Sequence, residues 1–495
     1  MRQAVLGRQV ITGGILTALA QGAKAGLGIL SAMVLARLLA PQDFGLVAMV
    51  ASVASLLRIF RDAGLSTATI QRDSISQAQV SNLFWVNVGI GAVLALTLAA
   101  SGPLIGAFYR DSRLPAIAVA LALGFVLSGG IVQHQALLAR SLRFGRLAAI
   151  EVASGAVSLV VAVVLASAGW GYWSLIASSL ALEACTLVLT WSASGWRPRL
   201  PARGVGTREL LSFGASMTAG SLLHILSRNV DNVLLGRVHG AEVVGLYSRA
   251  YILLMRPVDQ FLMPIGPVIV PALSRLNGDP ARYRRAFLRF YGAVALVGFP
   301  FAGICLALAG PMTLVLLGPR WSDSAPVFRA FSLAALFLPL AAPSGWLLIS
   351  QGRAREYVGL NAAVATVSIA SYVAGVRFGA VGVAYSYSVA SLLLSLPVLF
   401  HICGRRGPVL STDLWSVFWR HAPLWCLAFA VASSVSSSLN SSTPLVQLLS
   451  GVGSASLAVI GVLMVVPAYR RNAQVLLSDG VAALKSYAGG SRVVG

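Results

Sequence analysis

Apolar stretches long enough to cross a lipid bilayer recur along this chain from end to end, separated by short connectors, and nothing else constrains its fold as strongly. A window of about 19 residues places them near 12–39, 44–61, 82–108, 115–138, 147–168, 171–193, 209–236, 241–272, 286–309, 325–350, 355–376, 381–402, 415–437 and 445–468, fourteen in all. In hydrocarbon every backbone N–H and C=O must be bonded within its own segment, so such stretches become helices of about 20 residues. The fold class expected is an all-α polytopic membrane protein. Only 11% of the 495 residues are charged, against about 25% in soluble domains. A soluble enzyme is excluded. Arg2 and Arg8 precede the first stretch, which is too long for a cleaved leader and reads as an uncleaved span.

The net charge of +22 would suggest nucleic acid in a soluble protein. Here it is distributed between spans, so no nucleic-acid partner is implied. Arg58, Arg61, Arg72, Arg140, Arg143, Arg146, Arg197, Arg199, Arg203, Arg208, Arg275, Arg282, Arg284, Arg285, Arg289, Arg353, Arg355, Arg405 and Arg406 fall in even-numbered connectors or beside them. Odd connectors hold only Arg37, Arg110, Arg113, Arg237, Arg320 and Arg377. By the positive-inside rule both termini are then expected in the cytoplasm. Cys185, Cys305, Cys403 and Cys426 stand far apart in apolar surroundings and read as small buried residues, not as a metal or disulfide framework.

The sequence repeats at an offset of about 200 residues. Val34-Leu-Ala-Arg37 through Gly45-Leu46 overlies Leu234-Leu-Gly-Arg237 through Gly245-Leu246, with Arg37, Gly45 and Leu46 identical to their counterparts. Six spans separate the copies, so the halves insert with the same orientation as parallel repeats. The expected organisation is an N-lobe over 1–193, a cytoplasmic linker over 194–208, a C-lobe over 209–402, and two extra spans with a cytoplasmic tail over 403–495. Two six-helix lobes around a central cavity are the architecture this implies.

Charged and polar side chains inside spans are costly and mark function or a water-filled cavity by default. Thr17, Gln21, Lys24, Gly28 and Ser31 recur at three- and four-residue steps along one face of the first span. Ser221, His224, Arg228 and Asp231 follow the same rhythm in the seventh. Lys24, with no acid on its own face, reads as an anion or substrate contact. The eighth span carries Arg249, Arg256 and Asp259, and its prolines, including Pro257 and Pro264, predict a kink or break. Arg228 with Asp231, and Arg256 with Asp259, read either as locked ion pairs or as substrate and coupling groups. Arg256 also fits a snorkelling position at a span end. Glu151 lies near the start of the fifth span. Glu183, in the middle of the sixth, suits either a neutral hydrogen-bonded acid or a proton relay. His224 suits an interhelical hydrogen bond or a pH sensor. His134, Trp170 and Trp173 read as interfacial anchors. No GxSxG, HExxH, P-loop, acidic metal run or DxD pair occurs, so neither catalysis, a cofactor nor a metal site is expected. Without an ATP site, transport would run downhill or be coupled to an ion gradient or the membrane potential.

The passage Leu35-Ala-Arg-Leu-Leu-Ala-Pro41-Gln-Asp-Phe44-Gly45, with Arg228-Asn-Val-Asp231-Asn232-Val-Leu-Leu-Gly236-Arg237 and Gly245-Leu-Tyr247-Ser-Arg-Ala250-Tyr, resembles the polysaccharide transporter branch of the multidrug/oligosaccharidyl-lipid/polysaccharide exporter superfamily, in particular Wzx-type flippases. The resemblance implies fourteen helices in two lobes around a V-shaped cavity. It also implies movement of an undecaprenyl-pyrophosphate-linked oligosaccharide from the cytoplasmic to the periplasmic leaflet of the inner membrane, for lipopolysaccharide with its O-antigen, exopolysaccharide or capsule. The partners implied are the polyprenyl-pyrophosphate-linked glycan, membrane lipids, and a glycan polymerase with its export machinery. Lys24 and Arg228, with Arg249, Arg256, Gln21 and His224, would receive the anionic pyrophosphate. Asp231, Glu183 and Asp259 would be the ion-coupling candidates. The alternatives are a multidrug or organic-cation exporter of the same fold, a membrane glycan polymerase or ligase, and a non-transporting scaffold or channel. The exporter would need acids in a surround that is mostly basic, and the polymerase would need a large extracytoplasmic loop absent from this sequence.

Overall fold

The computed structural model describes residues 21–62, 64–72, 74–203, 229–262, 264–467 and 469–470. Among them there is no β-strand. The helices are α1 over 21–38, α2 Pro41–Arg58, α3 Leu65–Gln71, α4 Gln77–Tyr109, α5 Leu114–Gly129, α6 Val132–Arg140, α7 Phe144–Ser167, α8 Tyr172–Ser194, α9 Val230–His239, α10 Ala241–Leu262 and α11 Gly266–Ser274. There follow α12 Pro280–Ala307, α13 Ala309–Leu316, α14 Ser324–Ala334, α15 Leu338–Ser350, α16 Ala354–Gly375, α17 Gly379–Ala390, α18 Leu396–Gly404, α19 Ser411–Ser438 and α20 Pro444–Val465. Among the described residues eight helical segments are long and apolar enough to cross a membrane, and up to nine if the bent α10–α11 pair counts as one. This is a multi-pass membrane protein. Of the fourteen expected spans, 209–236 lies mostly outside the described residues. The expected span over 44–61 corresponds to α2, and 415–437 to α19, which carries Asp413, Arg420 and His421.

Local chemistry sets the helix starts. Ser76 accepts a hydrogen bond from the Gln79 amide at 3.2 Å while the Gln79 side chain accepts from the Ser76 amide at 2.9 Å, a reciprocal cap on α4. Asp279 accepts from the Arg282 amide at 3.0 Å ahead of Pro280, which opens α12 at a position where no N–H is needed. The break expected at the prolines of the eighth span comes later than Pro257. Helix α10 runs through Pro257, and α10 and α11 meet at a 43° bend after Leu262. Neighbouring segments in a membrane protein can re-satisfy the carbonyl that a proline releases, so a proline alone need not end the helix.

The chain forms two compact units, Met1–Ser248 with Leu316–Trp321, and Arg249–Val315 with Ser322–Gly495. In the first, α4 packs on α5 and α7 on α8; in the second, α12 packs on α19, α19 on α20 and α16 on α17. The first unit holds a reciprocal crossing of the two repeats. A Cβ on Gly45 of α2 would overlap the Ala241 carbonyl at the start of α10, and a Cβ on Gly245 would overlap the Pro41 carbonyl at the start of α2. Positions 41 and 241, and 45 and 245, are repeat partners at the offset read from sequence. Only glycine lets the two backbones approach this closely. Beside the crossing, Trp321 is fully buried, packs edge-on against Phe44 at 5.3 Å and donates its indole N–H to the Ala36 carbonyl at 2.7 Å.

Candidate functional site

Helix α1 presents Gln21 and Lys24 as exposed side chains. Lys24 Nζ lies 3.0 Å from Glu151 Oε2 on α7, and the two side chains are 56% and 42% exposed. One turn on from Glu151, Gly155 faces Leu27, so α7 lies beside α1 with little between them. An accessible charge pair on helices this apolar is costly against hydrocarbon and is stabilised where water or polar headgroups hydrate it. The acid that answers Lys24 is therefore on another helix, where its own sequence face could not reveal it.

Glu183, in the middle of α8, is likewise matched. Arg61, just past the end of α2, brings Nη1 to 3.6 Å from Glu183 Oε1, and Arg58 one turn earlier is close enough to feel the same carboxylate. Arg58 and Arg61, read from sequence only as orienting charges, are thus part of an intramembrane polar group. On α9, Asp231 is 3% exposed and accepts a hydrogen bond from the Tyr247 hydroxyl at 2.8 Å and from the Asn232 amide at 2.7 Å. Tyr247 is itself buried. No periodicity marks it in the sequence, although it stands two residues after Gly245 in the motif.

His224 and Arg228, with Ser221 of the same polar row, lie outside the described residues. On α10, Arg249 and Asp259 are half-buried and Arg256 is exposed. Arg249 and Arg256 are near enough to repel one another. His134 is not an interfacial anchor. It is fully buried among Phe84, Trp191 and Trp196, with Nδ1 2.8 Å from the Ser194 hydroxyl. The same helix carries Gln133, which accepts from Thr69 at 2.8 Å and donates to Asn87 at 2.9 Å, a buried polar chain with no periodic signature. Trp170, by contrast, is 57% exposed, as a belt residue should be. Among the described residues no group of three or more His, Cys, Asp and Glu side chains is placed to hold a metal ion.

In the first unit each intramembrane acid described above is engaged by a cation or a phenol, while Lys24 remains accessible at the Glu151 pair.

The pattern of the polysaccharide biosynthesis protein family matches residues 34–326. The teichuronic acid biosynthesis protein TuaB of Bacillus subtilis (strain 168) is 27% identical over 386 residues, 76% of this chain and 79% of that one. The lipopolysaccharide biosynthesis protein WzxC of Escherichia coli (strain K12) is 25% identical over 437 residues, 86% of this chain and 88% of that one. Among solved structures, the lipid II flippase MurJ in an inward closed conformation superposes with a TM-score of 0.72 at 13% identity, over 90% of this chain and 97% of that one. That last likeness concerns the fold.

Proposed function

Because the chain belongs to the polysaccharide biosynthesis protein family, we propose that it is a flippase for an undecaprenyl-pyrophosphate-linked oligosaccharide, moving it by alternating access from the cytoplasmic to the periplasmic leaflet of the inner membrane. The glycan would serve lipopolysaccharide, exopolysaccharide or capsule assembly, and both termini would lie in the cytoplasm. In this reading the N-lobe over 1–193 and the C-lobe over 209–402 are the moving halves. The polymerase and export machinery act on the delivered glycan.

The observation that carries the reading is the accessible Lys24–Glu151 pair. A pyrophosphate cannot cross hydrocarbon as a bare anion. Lys24 offers a charge-assisted hydrogen bond from an accessible side chain, and Glu151 holds that ammonium when no substrate is present. The carboxylate is therefore a competitor that the incoming pyrophosphate displaces and that returns on release. Arg228, Arg249, Arg256, Gln21 and His224 complete the substrate contacts, with Asp231, Glu183 and Asp259 as coupling groups. An organic-cation exporter is disfavoured, because Glu151, Glu183 and Asp231 already hold partners within the protein.

The test is leaflet translocation of a fluorescent polyprenyl-pyrophosphate oligosaccharide in proteoliposomes. Lys24→Ala is expected to abolish transport, and Glu151→Gln to bind substrate more tightly while releasing it more slowly. Wild-type rates in Lys24→Ala would overturn the role of the first span.

A further inference from the structure

A further cationic site lies wholly within the second unit. Helices α12 and α19 line an open cavity of about 320 Å³. Arg285, Arg289 and Arg420 line it together with Ser416, His421 and Leu296. Arg285 and Arg289 are one turn apart, and Gly292 and Leu296 continue the same row, so the lining passes from guanidinium to hydrocarbon along one helix face. No carboxylate is among its lining residues. Asp413, near the start of α19, is gripped by Arg284, whose Nε lies 2.7 Å from Oδ2, and it also accepts from the Leu410 amide at 3.0 Å.

The depth of the cavity is marked independently. Trp419 beside Arg420 is 65% exposed and stacks on Trp415, the placement of an interfacial aromatic. The Tyr469 hydroxyl donates to the Arg420 carbonyl, fixing the backbone at that level. Gly292 is what opens the space: a Cβ there would touch only His421 Cε1, at 3.8 Å.

We propose that this cavity binds the phosphate of a membrane lipid, with the guanidinium groups on the phosphate oxygens and the start of the hydrocarbon chain against Leu296. Arginine matches phosphate geometry in a bidentate fashion, and basic pockets between spans at the membrane surface are suited to phosphorylated headgroups. The phosphate belongs either to a bulk anionic phospholipid or to a polyprenyl phosphate; the recognition chemistry is common to both. The site stands whether or not the chain flips a glycan.

Native mass spectrometry of the full-length detergent-solubilised protein tests it, titrating phosphatidylglycerol, undecaprenyl pyrophosphate and, as the zwitterionic control, phosphatidylethanolamine. The combined Arg285→Gln, Arg289→Gln and Arg420→Gln variant is expected to lose at least about tenfold in affinity for the anionic lipid that binds. Gly292→Leu, which fills the cavity and keeps every charge, is expected to lose binding to a similar degree. Lys24→Ala is expected to retain phosphatidylglycerol binding, which separates this site from the transport reading. Preference for phosphatidylglycerol identifies a bulk-lipid site and preference for undecaprenyl pyrophosphate a carrier-lipid site; each supports the proposal. Wild-type binding by both folded cavity variants, or equal binding of phosphatidylethanolamine by the wild type, overturns it.

Discussion

Where α2 meets α10 in the first unit, backbone lies on backbone, and the positions in contact are two glycines and the carbonyls of Pro41 and Ala241. Where α15 and α18 end and α16 begins in the second unit, one guanidinium does the tying. Arg353 donates to the carbonyls of Ile402 at 2.7 Å, Cys403 at 3.0 Å and Arg406 at 2.8 Å, and to both oxygens of Glu356. Arg405 reaches the same carboxylate at 3.2 Å. The difference is one of adjustability. The glycine crossing has no side chain with which to absorb a displacement, so it is either seated or apart. The arginine joint shares its energy over several bonds that can be lost one at a time.

The sharpest way to break the comparison is Gly45→Ala or Gly245→Ala. A Cβ at either position overlaps a main-chain carbonyl, so α2 and α10 must move apart, and the cost is expected at or above the top of the roughly 1–3 kcal/mol range for overpacking. Thermal unfolding of the purified protein in detergent checks it; by contrast Gly453→Ala, with nothing within 4 Å of its Cβ, should leave the midpoint unchanged. Arg353→Ala should come next, at about 2–3 kcal/mol, because three carbonyls lose a charged donor together. Arg353→Lys should recover only part of this, since an ammonium cannot reach both Glu356 oxygens and the carbonyls at once.

The smallest effect is expected at the Asp111–Arg113 turn between α4 and α5. Arg113 bonds both oxygens of Asp111, at 3.0 and 2.7 Å, and this holds the carboxyl below its usual range. A depressed folded-state pKa gives stability that is present above the ordinary carboxylate value of about 4 and is lost as pH falls through the folded value. Asp111→Asn should therefore cost less than about 1 kcal/mol at neutral pH, because Arg113 is partly solvated. The gap between variant and wild type should close in unfolding curves taken at progressively lower pH. A gap that persisted in acid would assign the effect to the turn's backbone rather than to the ion pair.

Much of the fold could be read because period and length are local properties. Helices α4, α7, α8, α12 and α20 begin and end within a few residues of the apolar stretches that announce them. The repeat also pointed at Gly45 and Gly245, though as a match and not as a contact. The polar partners were harder to read for a physical reason. Which cation meets Glu183, or which acid meets Lys24, depends on how separate helices are rotated and stacked, and a one-helix periodicity carries none of that. Arg61 was hidden by a second role, since an arginine at a span end already has a sufficient explanation in orientation. Tyr247 was hidden by being apolar over most of its surface, although its hydroxyl is what accompanies Asp231 into the interior. Arg353 shows the same limit: its sequence neighbours mark a connector, and only the fold brings the end of α18 to it.

The crossing of α2 with α10 has the form of an isologous dimer interface. Position 45 of one copy meets position 41 of the other, and position 45 of that other copy, numbered 245, meets position 41 of the first. Two identical half-length chains associating through a twofold axis would make this contact with themselves. Fusing such halves into one chain fixes the stoichiometry and frees every other pair of equivalent positions to diverge, as Lys24 and His224 have. At this one joint the divergence is constrained: a larger residue at 45 cannot be accommodated by any change at 245, because what it meets is the main chain at 241.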